Sequence, residues 1–344
     1  MGIHVVQDLP TPARLDKLYP IGPKHHVDAH RRATQAILAG HDKRLLMITG
    51  PCSAWPPEAV DAYAEKLERL QEDVQQQVFC LMRVYIQKPR TALGWPGSHN
   101  QPDPLGKPDI QEGIHQCREL MCRVGQKVPI ADEMLFTGNV PHFDKLVTYT
   151  AVGARSTQDS DHRFHASGLE GPVGIKNPTS GNICVGVDGV QVAQHENDFV
   201  CSNQWVHSDG NPYAHLILRG GELGPNYNPQ HLAQATHLLT DTKKGIRNPA
   251  IVVDASHDNC RNGKGKDPEL QLLVLDSVMS GIMRHREEYR LVRGFMLESF
   301  LKGGNQKIGP EMTRDGTSAT DPCMSWDITE KAIREIADKY AMVQ

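Results

Sequence analysis

Three cations, Arg83, Lys88 and Arg90, leave the apolar run VFCLMRV (78–84) within eight positions of one another, and Pro89 fixes the backbone between the last two. Like charges this close at the exit of a strand repel one another unless an anion sits among them. A solvated basic loop is the commoner outcome of such a run. Here the pattern recurs, because Arg155, Lys176 and Arg219 each close a later apolar segment. Six cations exceed the need of one carboxylate. Arginine grips phosphate or carboxylate through paired donors, whereas lysine acts as a movable point charge or proton donor. The set suits two phosphorylated substrates, or one ligand carrying both phosphate and carboxylate.

A second group, Cys52, His257, Glu298 and Asp321, offers a thiolate, an imidazole and two carboxylates. That mixture suits a divalent transition metal such as Mn, Fe, Co or Zn better than Mg or Ca. A metal beside an anion cluster points to Lewis-acid activation of a carbonyl. Each residue has a bland alternative. Cys52 could be a small buried thiol, Glu298 and His257 could be satisfied by backbone, and Arg155 and Arg219 could pair with surface carboxylates. What favours chemistry is joint placement: these residues, with Glu133, sit at or just beyond the ends of apolar segments.

The elements that must position them are short. Strands are predicted at 45–50, 78–84, 128–133, 151–155, 172–177, 214–220, 251–256 and 293–299. Helical patterns fall at 27–38 (closed by Gly40), from Pro57, at 110–124, after Pro141, and at 185–195, 268–284 and 327–342. Asp327 is the expected cap of the last helix, with Glu330 three residues on. Residues 1–26 read as irregular. Strands alternating with helices imply parallel βαβ units. The count of eight, and the lack of a Gly-x-Gly-x-x-Gly turn, favour a closed (β/α)8 TIM barrel over an open sheet. The expected organisation is an α/β chain with an N-terminal extension and helix at 1–40 and a catalytic barrel at 41–344. An extra hairpin, at 198–211, precedes the sixth strand. In a barrel the C-terminal strand ends share one mouth.

Bulk properties narrow the function. The 344 residues carry a net charge of −4, so nucleic acid is not an expected partner and any cationic site must be local. Eight cysteines with no CxxC spacing read as reduced thiols. No apolar run reaches the roughly 18 residues of a membrane span, and the start lacks a signal-peptide core. A cytoplasmic protein with no membrane partner is expected.

In order along the chain, GPCS (50–53), MRVYIQKPRT (82–91), GARS (153–156), PVGIKN (172–177), ILRGG (217–221), DASH (254–257), LES (297–299) and SATDPCMSW (318–326) resemble the type I 3-deoxy-D-arabino-heptulosonate 7-phosphate (DAHP) synthases. The resemblance implies a metal-dependent condensation of phosphoenolpyruvate with erythrose 4-phosphate and water, the first step of the shikimate pathway. It also implies a homodimer or homotetramer. By motif, Cys52, His257, Glu298 and Asp321 would hold the metal. Arg83, Arg155, Lys176 and Arg219 would hold phosphoenolpyruvate, with Glu133 nearby. Lys88 would stand between the substrates as a catalytic residue with Cys52 and His257, and Arg90 and Thr91 would grip the aldose phosphate.

The sequence also departs from the family. The segment before Leu9 is short, residues 136–141 differ, the hairpin is trimmed, Phe300 stands in place of a histidine, and Glu170 stands where a serine is the family pattern. An added carboxylate would oppose an incoming amino acid. Weak or absent inhibition by aromatic amino acids is therefore expected, as would suit a secondary pathway. Rival readings are a sibling condensation using arabinose 5-phosphate or an amino analogue of erythrose 4-phosphate, and a non-catalytic phosphosugar-binding or scaffold protein.

Overall fold

The computed structural model describes residues 2–90, 93–263 and 265–343. Eight strands form a closed parallel barrel: β1 Leu45–Gly50, β2 Val78–Arg83, β3 Ile130–Glu133, β4 Tyr149–Val152, β5 Val173–Lys176, β6 His215–Leu218, β7 Ile251–Asp254 and β8 Val292–Glu298. Each strand pairs with its neighbours in sequence, and β8 closes on β1 through Leu46↔Gly294 to Gly50↔Glu298. The fourth strand lies earlier than expected. The turn in which Ser156 N donates to Gly153 O at 3.0 Å ends the extended run before Arg155, so Arg155 rides on a loop.

Helices α1 Pro12–Leu18, α2 Val27–Leu38, α3 Pro57–Val74, α4 Ile110–Val124, α5 Val140–Phe143, α6 Ser160–Ser167, α7 Ile183–Gln194, α8 Pro229–Leu239, α9 Leu270–Met283 and α10 Trp326–Ala341 complete the chain. Three of these the sequence reading omits. Helix α1 starts with Pro12 after Thr11, whose hydroxyl accepts from Arg14 N. Asp159 caps α6, and Asn228 followed by Pro229 opens α8. Ser325, not Asp327, is the cap residue of α10; Asp327 lies in its first turn, and Glu330 accepts from the Trp326 indole at 2.8 Å. The hairpin pairs Asn197–Cys201 with Gln204–Ser208. Its turn residues Ser202 and Asn203 both have positive φ (48° and 63°), the geometry of a two-residue hairpin turn.

Period-two alternation divides the apolar residues into two layers. Leu46, Ile48, Phe79, Leu81, Ala131, Tyr149, Ala151, Ile217, Val252 and Met296 fill the barrel interior, where Ile37 and Leu38 of α2 join them. Their neighbours, such as Met47, Cys80, Ile130, Ile175, Leu216 and Val253, pack outward against the helices. One polar pair crosses the interior. The Tyr149 hydroxyl lies 2.8 Å from His215 Nε2, and His215 Nδ1 lies 3.0 Å from Tyr213 O. Since a carbonyl only accepts, Nδ1 carries the proton and Tyr149 donates to Nε2. Gly174 makes the contact possible, because a Cβ there would fall 2.1 Å from Tyr149 Oη and 2.4 Å from Ile217 Cδ1. Among the described residues no helix is long and apolar enough to cross a membrane.

Gly174→Ala should lower stability by about 1–3 kcal/mol through overpacking, read from denaturant unfolding. Burial pushes His215 down to about 4 from 6.5, so the unfolded chain binds the extra proton as pH falls between those values. The native state should therefore lose, from this site, stability of order 1 kcal/mol per pH unit across that window. Unfolding curves at several pH values should show a flatter dependence in His215→Gln than in the unsubstituted protein.

Candidate active site

The alternation that fills the interior also aims the charges. Arg83, Glu133, Lys176, Arg219, Asp254 and Glu298 each lie two residues beyond an interior position (Leu81, Ala131, Gly174, Ile217, Val252 and Met296), so they cap the apolar layer at the C-terminal mouth. Five strands contribute to one chain of ionisable side chains. Arg83 Nη2 donates to Glu298 Oε1 at 3.0 Å, and that oxygen lies 3.7 Å from His257 Nε2. His257 Nδ1 is 2.9 Å from Asp254 Oδ2, which is 3.5 Å from Lys176 Nζ, itself 3.7 Å from Glu133 Oε2. Gly153 admits Glu133, whose Oε1 would lie 2.4 Å from a Cβ there.

Burial alone would raise the Asp254 and Glu298 carboxyls. For Asp254, His257, Lys176 and Arg83 hold it well below the ordinary range; for Glu298, His257, Arg83 and Lys266 pull it down. Arg83 is fully buried over the Tyr85 ring, 4.2 Å from its centroid, yet its Nε and Nη1 have no partner. Buried donors left unmade cost about 1–3 kcal/mol each. An anion in the mouth would satisfy them.

The Cys52 thiol, a Glu298 oxygen and an Asp321 oxygen lie within 4.8 Å of one another, a spacing one ion could bridge. His257 adjoins this group through Glu298 rather than completing it in the same radius. Sulfur, oxygen and imidazole donors together fit a transition metal. Lys88 lies over the group, its Nζ 2.7 Å from Cys52 O and 3.0 Å from Cys52 Sγ. Burial and Glu298 raise the thiol against the opposing pull of Lys88. Desolvation would lower Lys88, but Cys52, Glu298 and Asp321 raise it, so the ammonium stays charged. All eight cysteines are free thiols.

Above lies a cleft of about 750 Å³. Among the described residues, its lining holds eight cations (Arg83, Lys88, Arg90, Arg155, Lys176, Arg219, Arg261 and Lys266) against four carboxylates, Glu133, Glu222, Asp258 and Asp321. The excess is local, as the chain as a whole is at −4. Arg155 is exposed at the rim, and Arg90 is anchored by Nε donating to Trp95 O at 2.8 Å. Thr91 lies outside the described residues. The sequence reading missed Asp254, Asp258, Arg261 and Lys266. Asp254 was legible as the inward residue that ends β7. Lys266, which pairs with Asp321 from a short ladder joining Arg261–Asn262 to Gly265–Lys266, left no periodic trace.

Fold and mouth together define a (β/α)8 barrel enzyme whose strand ends carry a cation-rich cleft beside a cluster of metal-ligand type. The DAHP synthetase I family model matches residues 20–334. The chain is 37% identical over 341 residues to the Trp-sensitive phospho-2-dehydro-3-deoxyheptonate aldolase of Escherichia coli K12, covering 96% of this chain and 95% of that protein. Its Tyr-sensitive counterpart in the same organism is 35% identical over 347 residues, covering 97% and 94%. A phospho-2-dehydro-3-deoxyheptonate aldolase from Francisella tularensis SCHU S4 superposes with a TM-score of 0.93 at 31% identity over the full length of both chains. The chain belongs to the DAHP synthetase I family.

Cys184 is exposed, whereas Cys52 is buried with its thiol pushed up by burial. In a timed iodoacetamide reaction at neutral pH, peptide mass spectrometry should find Cys184 alkylated well before Cys52.

Proposed function

We propose that the cleft condenses phosphoenolpyruvate with erythrose 4-phosphate and water, yielding DAHP and inorganic phosphate, in a catalytic barrel spanning residues 41–344. The observation that carries this reading is the excess of cations over carboxylates in one cleft beside Cys52, Glu298 and Asp321. Two mutually repelling polyanions must be held side by side, and the cations do that. Arg83, Lys176, Arg219 and Arg155 take the carboxylate and phosphate of phosphoenolpyruvate; Arg83 is suited by its unpartnered Nε and Nη1. Glu133 steadies Lys176. Arg90 and Thr91 take the phosphate of the aldose.

Cys52, His257, Glu298 and Asp321 would hold a divalent transition metal (Mn, Fe, Co or Zn), which when bound supplies Lewis-acid polarisation of the aldehyde carbonyl. Carbon 3 of phosphoenolpyruvate attacks that carbonyl carbon, and the Lys88 ammonium gives a proton to the new alkoxide oxygen. Water adds at C2, one of its protons restoring the Lys88 ammonium and the other leaving with the phosphate as the C–O bond breaks to give the C2 ketone. Proximity and fixed charge are the main contributions of the protein. Exposed Val200 and Trp205, paired across the hairpin, and exposed Ile3, Val5 and Val6 support a homo-oligomer.

Weak or absent feedback inhibition is part of this reading. The Glu170 carboxylate is engaged by Arg31 Nη1 at 2.5 Å, and Arg31 Nη2 donates to Asp144 O at 2.7 Å. The network fixes a carboxylate where the family pattern has a serine.

Phosphate release should require both substrates, vanish on chelation and return with Mn, Fe, Co or Zn. Lys88→Ala should cost about 10²–10⁴-fold in kcat. Retention of activity after exhaustive chelation would contradict the metal role. Phenylalanine, tyrosine and tryptophan at sub-millimolar concentration should each leave the initial rate nearly unchanged; strong inhibition by any of them would remove the Glu170 argument.

A further inference from the structure

Just beyond β7, one carboxylate stands between two arginines. Asp258 is buried; its Oδ2 lies 2.6 Å from Arg219 Nη1 and its Oδ1 lies 3.3 Å from Arg261 Nη1. The backbone fixes this arrangement from both sides. Asp258 N donates to Arg219 O at 3.2 Å, and Arg219 N donates to Asn177 Oδ1 at 2.9 Å. Gly220 has φ +75°, and a Cβ there would fall 2.5 Å from the Asp258 carbonyl carbon, so only glycine lets the two strand exits approach this closely. Arg219 Nε, by contrast, is buried and has no partner.

A guanidinium is a planar fork with its donors in fixed relation. With Nη1 committed to Asp258, the edge that carries Nε is left for a ligand in the cleft that Arg219 lines. We propose that Asp258 is a positioning residue: it orients Arg219 so that the unpartnered Nε edge meets the phosphate of phosphoenolpyruvate. This rests on the proposed condensation. A carboxylate next to a phosphate site would weaken it if it acted through charge alone. Two arginines share this one, however, so the group around Asp258 stays net positive. Without the carboxylate, Arg219 and Arg261 would repel each other, and Arg219 would lose the contact that fixes its rotamer.

Asp258→Asn keeps the shape and removes the charge. Calorimetric titration with phosphoenolpyruvate should show Kd raised roughly tenfold, and KM for that substrate should rise in parallel, as a displaced binding group implies. The value of kcat should stay within about twofold and KM for erythrose 4-phosphate should hold, the pattern of lost uniform binding at one substrate. Asp258→Glu keeps the charge on a longer arm and should raise KM for phosphoenolpyruvate less than Asn does. Binding by Asp258→Asn equal to or tighter than wild type, or a fall in kcat with KM unmoved, would overturn the assignment. If the Asn variant does not fold, the Glu variant decides: a raised KM for phosphoenolpyruvate alone supports the assignment, and an unchanged one overturns it. Wild-type protein that fails to bind phosphoenolpyruvate would instead sink the proposed condensation, so the two failures are distinct.

Discussion

The site depends on a line of ionisable groups that contact one another across the barrel mouth, from Arg83 through Glu298, His257, Asp254 and Lys176 to Glu133. None of these groups could occupy an apolar interior alone, since an uncompensated buried ion costs several kcal/mol even after relaxation. The charged members are tolerated because each has a partner of opposite sign on another strand: Arg83 with Glu298, and Lys176 with Asp254 and Glu133. The mouth is thereby preorganised: a substrate meets cations already fixed in a poorly hydrated setting, where their attraction is little screened. The line also joins the Cys52–Glu298–Asp321 cluster to the cations of the mouth, as Glu298 touches both Arg83 and His257.

Much of this was legible in the sequence because strand phase is a local property. Leu81 followed two residues later by Arg83, or Met296 by Glu298, says that an interior position gives way to a charge at the strand end. Strand order followed from the alternation with helices. Boundaries were harder. The small residues of 151–155 resemble strand, but the Gly153–Ser156 turn ends β4 at Val152. Helix α6, with two histidines and two serines among eight residues, has too weak an apolar face to announce itself. Ser325 outranks Asp327 as the cap of α10 because chain direction entering the helix, not residue type alone, fixes the cap position.

The ion pairs that hold the site were not legible. Asp254, Asp258 and Lys266 matter through contacts with Lys176, Arg219 and Asp321, residues far off in the chain. Glu170 shows the same limit: its place in the chain gives no sign that Arg31 of α2 binds it, or that Arg31 also ties that helix to Val147 and Asp144 ahead of β4.

The Tyr149–His215 pair reaches past β5 at an interior position with no side chain, Gly174. That gap has a consequence for how the barrel closes during folding. A slip of β4 or β6 by one residue would turn the phenol and the imidazole to opposite sides of the wall and leave both without a partner. Mispaired closures are thus penalised from inside, by a buried phenol and a buried imidazole left unpaired.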